Sequence, residues 1–281
     1  MKKDLLTRFL IEESSIRGNI INLDKSLSNL TNALKIPQTI MQSFVEIITA
    51  CPMLTATLKI EGGLILQIQG NKDLRLIVAE SDNHFNIRGT IKINQKTKLP
   101  FTKLVQDAIF VLTIIHKDQK TPYQGIIDVR SGSVKQMIED YLTQSMQVKS
   151  KIFFYQKNSK SYAIFFQELP HKNDDHRIKT KKLWKTLEEL ECSILENAPE
   201  KVLEYLFPHE QIQLFENHPV KFKCSCSEEK IYKTISLLKI KDVFESLENN
   251  KMEMVCEYCQ KKYTVTRADV EAIFSKNQAL N

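Results

Sequence analysis

Several large functional classes have no signature in this sequence. No dense apolar stretch approaches the roughly 20 residues that a membrane helix needs; the longest runs from Ala108 to Ile115. The first residues, Met1-Lys2-Lys3-Asp4, start basic, but Arg8, Glu12 and Glu13 leave no room for a signal-peptide core. A cytoplasmic protein without a membrane partner is the expectation. There is no G-x-G-x-x-G, no P-loop and no internal repeat, so nucleotide binding is not indicated. The charge excess is small, 40 Lys and Arg against 34 Asp and Glu, and is spread as +7 over residues 1–170, −3 over 171–220 and +2 over 221–281. No segment carries the clustered basic stripe of a DNA or RNA interface. His84, His116, His171, His176, His209 and His218 are dispersed, and no nucleophile–base arrangement emerges. No enzyme active site is visible.

What is present is ordinary globular composition, 42% hydrophobic and 26% charged over 281 residues. That excludes disordered and fibrous classes and suits two domains, or one with appendages. Residues 1–170 read as an α/β unit. Ile16–Leu23 alternates as a strand, and Asp24 is placed to cap a helix through about Leu34. Pro37 opens a second helix, carried by Ile40, Met41, Phe44, Ile47 and Ile48. Cys51, before Pro52 in that helix, reads as a packed core thiol. Strands are expected over 64–69, 74–79 and 85–93, with turn signals at Gly70-Asn71 and Asp82-Asn83 that favour antiparallel hairpins. A second hairpin spans 108–115 and 123–129. A helix follows over 134–146, and two last strands over 151–155 and 162–168.

Residues 171–219 differ in character. The polar run from His171 to Arg177 reads as a loop, and an amphipathic helix then places Leu183, Leu187, Leu190 and Ile194 on one stripe. Cys192 sits at its end without a partner in sequence. Pro199 starts a short helix with Val202, Tyr205, Leu206 and Phe207 apolar, stopping at Pro208. Helices this short rarely hold without tertiary packing, so the segment is a helical linker that must lean on something. Residues 220–281 form a compact module: Cys224-Ser225-Cys226 beside an extended run, helices over 230–238 and 242–248, a strand over 252–255 into Cys256-Glu257-Tyr258-Cys259, a strand over 263–265, and a helix from Ala268.

The six cysteines carry the sharpest signal, because four of them crowd the last quarter. Such clustering in a cytosolic chain points to metal or redox chemistry rather than structural disulfides. C-x-C and C-x-x-C, 29 residues apart, supply two close pairs of soft ligands, which is an economical way to build a zinc tetrahedron. Zinc at Cys224, Cys226, Cys256 and Cys259 is the preferred reading. A thioredoxin-type dithiol would want its C-x-x-C in a βαβ unit, and iron–sulfur sites normally use other spacings. Whether the metal is a static brace or a switch stays open at this level. Metal-bound thiolates are the form that oxidants attack, which makes a switch admissible.

At these cysteines a family resemblance emerges. Phe222-Lys223-Cys224-Ser225-Cys226-Ser227, with Glu229 behind it, and Cys256-Glu257-Tyr258-Cys259 look like the zinc motifs of the 33 kDa chaperonin family, the bacterial redox-regulated heat-shock holdases. Arg8-Phe9-Leu10, Ile16-Arg17-Gly18, Leu54-Thr55-Ala56-Thr57-Leu58-Lys59, Leu66-Gln67-Ile68-Gln69-Gly70, Tyr123-Gln124-Gly125 and Glu139-Asp140-Tyr141 extend the similarity over nearly the whole chain. One departure is Lys230, where the family commonly has arginine; it keeps the charge.

The resemblance implies an α+β protein in three parts: an α/β substrate-binding domain over 1–170 with antiparallel sheets, a helical redox-sensitive linker over 171–219, and a zinc-binding switch domain over 220–281. It implies an ATP-independent holdase, inactive when reduced and zinc-bound. Oxidation would release one Zn2+, form disulfides Cys224–Cys226 and Cys256–Cys259, unfold the linker and expose surface for unfolding client proteins. The active form would be a homodimer, with no nucleic acid partner. The linker residues Leu183, Trp184, Leu187 and Leu190 are the client-surface candidates; Trp184 is the chain's one tryptophan. The rival reading is a static zinc-ribbon protein that binds nucleic acid, and it fares poorly because the module's +2 is cancelled by the −2 of a zinc tetrathiolate.

Overall fold

The computed structural model describes residues 4–58, 61–119, 121–171 and 173–278. Met1, Lys2 and Lys3 of the basic start, Lys59 of the 54–59 motif and Lys172 of the polar run lie outside the described residues. The chain divides into two compact units, residues 1–223 and 224–281.

The first unit begins with a hairpin, β1 (Leu5–Ile11) and β2 (Ile16–Leu23), joined through a 3-10 turn at residues 12–14. β1 has no counterpart among the expected strands, because Thr7 and Arg8 blur its alternation. α1 (Lys25–Ala33) follows with Asp24 in the N-cap position, yet the Asp24 side chain makes no cap bond. The Asp4 carboxylate caps instead, accepting from the Asp24 N–H at 2.6 Å and the Ser26 N–H at 3.2 Å. An acid from outside the helix thus satisfies the orphan donors and favours the positive helix end.

α2 (Gln38–Leu58) corrects the expectation about apolar stretches: by length and composition it could cross a membrane. Its side chains explain the composition. Ile40, Phe44, Ile47, Ala50, Cys51 and Met53 are all fully buried, because the helix packs against strands of both main sheets and needs no polar face there. Thr49, Thr55 and Thr57 are buried as well, and satisfy their hydroxyls on carbonyls one turn back.

β3 (Gly62–Gln69), β4 (Leu74–Asp82), β5 (Asn86–Ile93), the short α3 (Phe101–Leu104), β6 (Ile109–His116), β7 (Tyr123–Asp128), α4 (Val134–Met146), β8 (Ser150–Lys157) and β9 (Lys160–Glu168) complete the expected part. Ser133 caps α4, its side chain accepting from the Gln136 N–H. α5 (Asp174–Thr186), α6 (Pro199–Leu206), β10 (Ile212–Pro219) and β11 (Lys221–Phe222) follow. One sheet has the order β10-β1-β2-β9-β8 and the other β11-β5-β4-β3-β6-β7. Every ladder in these sheets is antiparallel except the two-residue β11–β5 pairing. At Gly18 a Cβ would lie 2.1 Å from Phe165 O and 2.4 Å from the Phe9 ring, so only glycine lets Phe9 cross the sheet there.

The segment after β9 differs from expectation in three ways. Its last residues, expected within a helical linker, are the strand β10, drawn into the sheet by antiparallel pairing with β1. The polar run is a helix start: Asn173 accepts from the His176 N–H at 2.9 Å, and Asp174 and Asp175 fill the first turn of α5. The Leu183-to-Ile194 stripe is not one helix. α5 ends at Thr186, and 3-10 turns at residues 187–189 and 192–196 are separated by extended backbone at Leu190 and Glu191. Cys192 opens the second of these turns. The break lets Leu195 reach the same sheet face as Leu187, where a straight helix would lift away.

The second unit holds α7 (Glu228–Ile235), α8 (Ile240–Glu245), the hairpin β12 (Lys251–Val255) and β13 (Lys262–Thr266), and α9 (Arg267–Gln278). Its fully buried apolar core is Ile235, Val243, Val265 and Val270. So small a core contributes little toward the ordering entropy of the unit.

Candidate metal centre

Two local structures deliver the four thiols. Cys224 and Cys226 lie in the coil between β11 and α7, where Ser227 caps α7 by accepting from the Lys230 N–H and Lys230 Nζ donates to Ser225 O at 2.7 Å. Cys256 and Cys259 occupy the tight turn of the β12–β13 hairpin. The Cys256 N–H donates to Lys261 O at 3.0 Å and the Gln260 N–H to Cys256 O at 2.9 Å. Gln260 takes the left-handed conformation, φ 58°, that closes the turn.

All four sulfurs lie within 4.8 Å of one another. Cys224 Sγ is 3.6 Å from Cys256 Sγ, and Cys226 Sγ is 3.5 Å from Cys259 Sγ. A tetrahedron with zinc–sulfur bonds near 2.3 Å has edges of about 3.8 Å, so the donor set and its spacing fit one metal ion. Cys51 and Cys192 stand outside the cluster, and burial pushes both thiols up, Cys51 strongly.

Cys224, Cys226 and Cys259 do not ionise alike. Burial, with hydrogen bonds to the neighbouring thiols, pushes Cys224 up to about 12. Burial likewise raises Cys259. At Cys226 burial also opposes ionisation, but the Tyr263 hydroxyl, donating to Sγ at 3.0 Å, and the other thiols outweigh it and bring the group to about 7. Tyr263, itself buried, is a site residue that the spacing of cysteines does not reveal. An aromatic with a polar handle four residues past a C-x-x-C is the available signal, and only the hairpin register shows that its hydroxyl reaches a thiol.

The sequence and the fold have known counterparts. The model of the Hsp33 protein family matches residues 4–266. The chain belongs to that family. Among curated relatives named 33 kDa chaperonin, it is 30% identical to the one from Methylobacillus flagellatus, covering 97% of this chain and 94% of the relative. It is 31% identical to the one from Shewanella sediminis, covering 99% and 98%. The crystal structure of the 33 kDa chaperonin of Thermotoga maritima has the same fold, with a TM-score of 0.84 at 19% identity, over 98% of this chain and 99% of that one.

The four client-surface candidates of this Hsp33 member lie elsewhere, in the first unit. Leu183, Trp184 and Leu187 are 6%, 4% and 0% exposed, and Leu190 is half-buried. With Leu195, Val202, Leu203, Leu206 and Phe207 they cover one face of the β1–β2–β9 region, formed by Phe9, Ile11, Ile16, Ile20, Ile164 and Phe166. The opposite face of the same sheet, with Leu6, Ile21 and Phe165, belongs to the core around α2. The Trp184 indole N–H donates to the Glu168 carboxylate, and Lys149 Nζ sits 4.7 Å above its ring. The Thr180 hydroxyl donates to Ser14 O, and Lys179 pairs with Glu13.

Proposed function

We propose that this chain is a redox-regulated, ATP-independent chaperone that holds unfolding proteins. The observation that carries the reading is the cluster of four thiols within 4.8 Å in a unit with only four fully buried apolar side chains among the described residues. Such a unit depends on its metal for folding. In the reduced state Cys224, Cys226, Cys256 and Cys259 hold one Zn2+, which supplies folding energy rather than catalysis.

With hydrogen peroxide as oxidant, each pair of zinc-bound thiolates gives up two electrons and forms one disulfide, while one hydrogen peroxide takes those electrons and two protons from solvent to become two waters; loss of the thiolates frees the Zn2+. The short cross-distances, Cys224 to Cys256 and Cys226 to Cys259, are edges of the metal tetrahedron and do not choose the pairing. Once the metal leaves, only pairs close in the chain stay close, which with the family resemblance favours Cys224–Cys226 and Cys256–Cys259. Peptide mapping of the oxidised protein under non-reducing conditions should find those two bridges; a dominant Cys226–Cys259 link contradicts the pairing.

Residues 171–219 act as the redox-sensitive linker between the 1–170 substrate-binding part and the 220–281 switch. β11 ends at Phe222, and Lys223 alone separates it from the first thiol, Cys224. Melting of the switch therefore begins two residues from the strand through which the chain leads back to β10, the last element of the linker. The oxidised protein is expected to be a cytoplasmic homodimer. The test is an aggregation assay with thermally unfolding citrate synthase, run on reduced and peroxide-treated protein side by side. Suppression only by the treated protein, without ATP, is the expected result; equal suppression by both forms overturns the redox control.

A further inference from the structure

A cavity of about 280 Å³ in the first unit has no part in that redox cycle. In the β1–β2 ladder Arg8 stands opposite Asn19, and Leu10 opposite Arg17, so these four side chains share one face of the sheet. It is the face turned toward α2, because Asn19 Nδ2 donates to Met53 O at 3.1 Å and to Thr57 Oγ1 at 3.3 Å. Those two acceptors orient the amide. Asn19 Oδ1 is left buried without a hydrogen-bond partner, and Asn19 is only 2% exposed.

The two arginines around this cavity are also underused. Arg8 Nε is buried without an acceptor, Arg8 Nη2 meets a ring nitrogen of His218 at 3.2 Å, and the guanidinium stands 5.8 Å from the centre of the Phe215 ring. Arg17 Nε donates to Gln167 Oε1 at 2.7 Å, an uncharged partner. Among the described residues no carboxylate pairs with either guanidinium, and burial holds Arg17 below its ordinary value. The remaining wall is largely apolar, with Leu169 and Phe215.

Buried polar groups without partners are costly and uncommon. Here two guanidinium groups without a carboxylate partner line one apolar-walled space beside the buried Asn19. We propose that the cavity binds an N-acylated apolar amino acid, free or as the C-terminal residue of a peptide, with its carboxylate on Arg8 and Arg17. Guanidinium groups hold carboxylates through charge-assisted bonds, and the apolar side chain takes the Leu169 and Phe215 wall. The volume lies at the small end of organic-ligand sites, roughly 300–1,000 Å³, which limits the occupant to one residue's bulk.

The test uses the reduced full chain and calorimetric titration with N-acetyl-L-phenylalanine and with its amide, which lacks the carboxylate. The acid should bind about tenfold or more tightly than the amide. Arg8→Gln and Arg17→Gln should each remove most of that difference, while circular dichroism confirms that the variants fold. If either fails to fold, Arg17→Lys, which keeps the charge but loses the fork, should still weaken the acid measurably. A free-acid apolar tripeptide and its amidated form separate the two sources: binding of the tripeptide acid adds chain ends to free derivatives, and its absence restricts the site to small molecules. Equal binding of acid and amide overturns the proposal. So does the absence of binding to the wild type at millimolar ligand, with Arg8→Gln merely lowering the melting temperature; the arginines would then serve only the packing of the sheet.

Discussion

Cys256→Ser should leave the reduced protein without zinc and with residues 224–281 unfolded. Structural zinc contributes on the order of 10–16 kcal/mol in small metal-folded peptides, as much as the whole stability of an ordinary domain. The four buried residues Ile235, Val243, Val265 and Val270 cannot replace it. Burying a Val or Ile side chain stabilises by about 1.5–3 kcal/mol before ordering entropy is subtracted. Elemental analysis should find no zinc in the variant, and hydrogen exchange across 224–281 should be fast. Client holding should appear without oxidant. Cys51→Ser and Cys192→Ser should keep one zinc per chain, since neither thiol belongs to the cluster. A folded, zinc-loaded Cys256→Ser protein would sink the ligand assignment.

Leu187→Ala should release the linker while leaving zinc in place. Leu187 is fully buried against the sheet face of Phe9, Ile16 and Phe166, and a Leu-to-Ala change in such a site costs about 2–5 kcal/mol. The segment it anchors is α5, two 3-10 turns and the short α6, held by one apolar face and a few polar contacts such as Thr180 to Ser14 and Trp184 to Glu168. A cost of that size is a large share of its docking free energy. Trp184 reports the event: it is 4% exposed, with its indole N–H on Glu168, so undocking should shift its emission to the red. The reduced, zinc-loaded variant should then hold clients without peroxide, because the freed face is a contiguous apolar patch. Holding with Trp184 still blue-shifted would mean that this face is not the client surface.

Much of the fold was legible because its patterns are local. Val134–Met146 carries its own cap and apolar spacing, and the structure has that helix with those ends. The β3 to β6 strands alternate between turn signals and pair as antiparallel neighbours. The thiol pairs have one and two residues between their members, so the chain itself keeps each pair together, and the clustering of the two pairs could be anticipated from ligand chemistry alone.

Other features depend on partners far away in the sequence. β1 pairs with β10 from Leu5↔Pro219 to Ile11↔Ile212, and neither strand alternates cleanly enough to be read alone. Asp4, not Asp24, caps α1 because the fold brings it there. The Leu183-to-Ile194 stripe has helical spacing, but the sheet beneath it, not the spacing, decides where the helix stops. Contacts within a few residues were therefore enough to specify the two thiol pairs, the apolar stripes and the local hairpins. The apolar face that the linker covers, the meeting of Tyr263 with Cys226, and the gathering of Arg8, Arg17 and Asn19 around one cavity could not be had that way. Their energies exist only between segments that folding brings together.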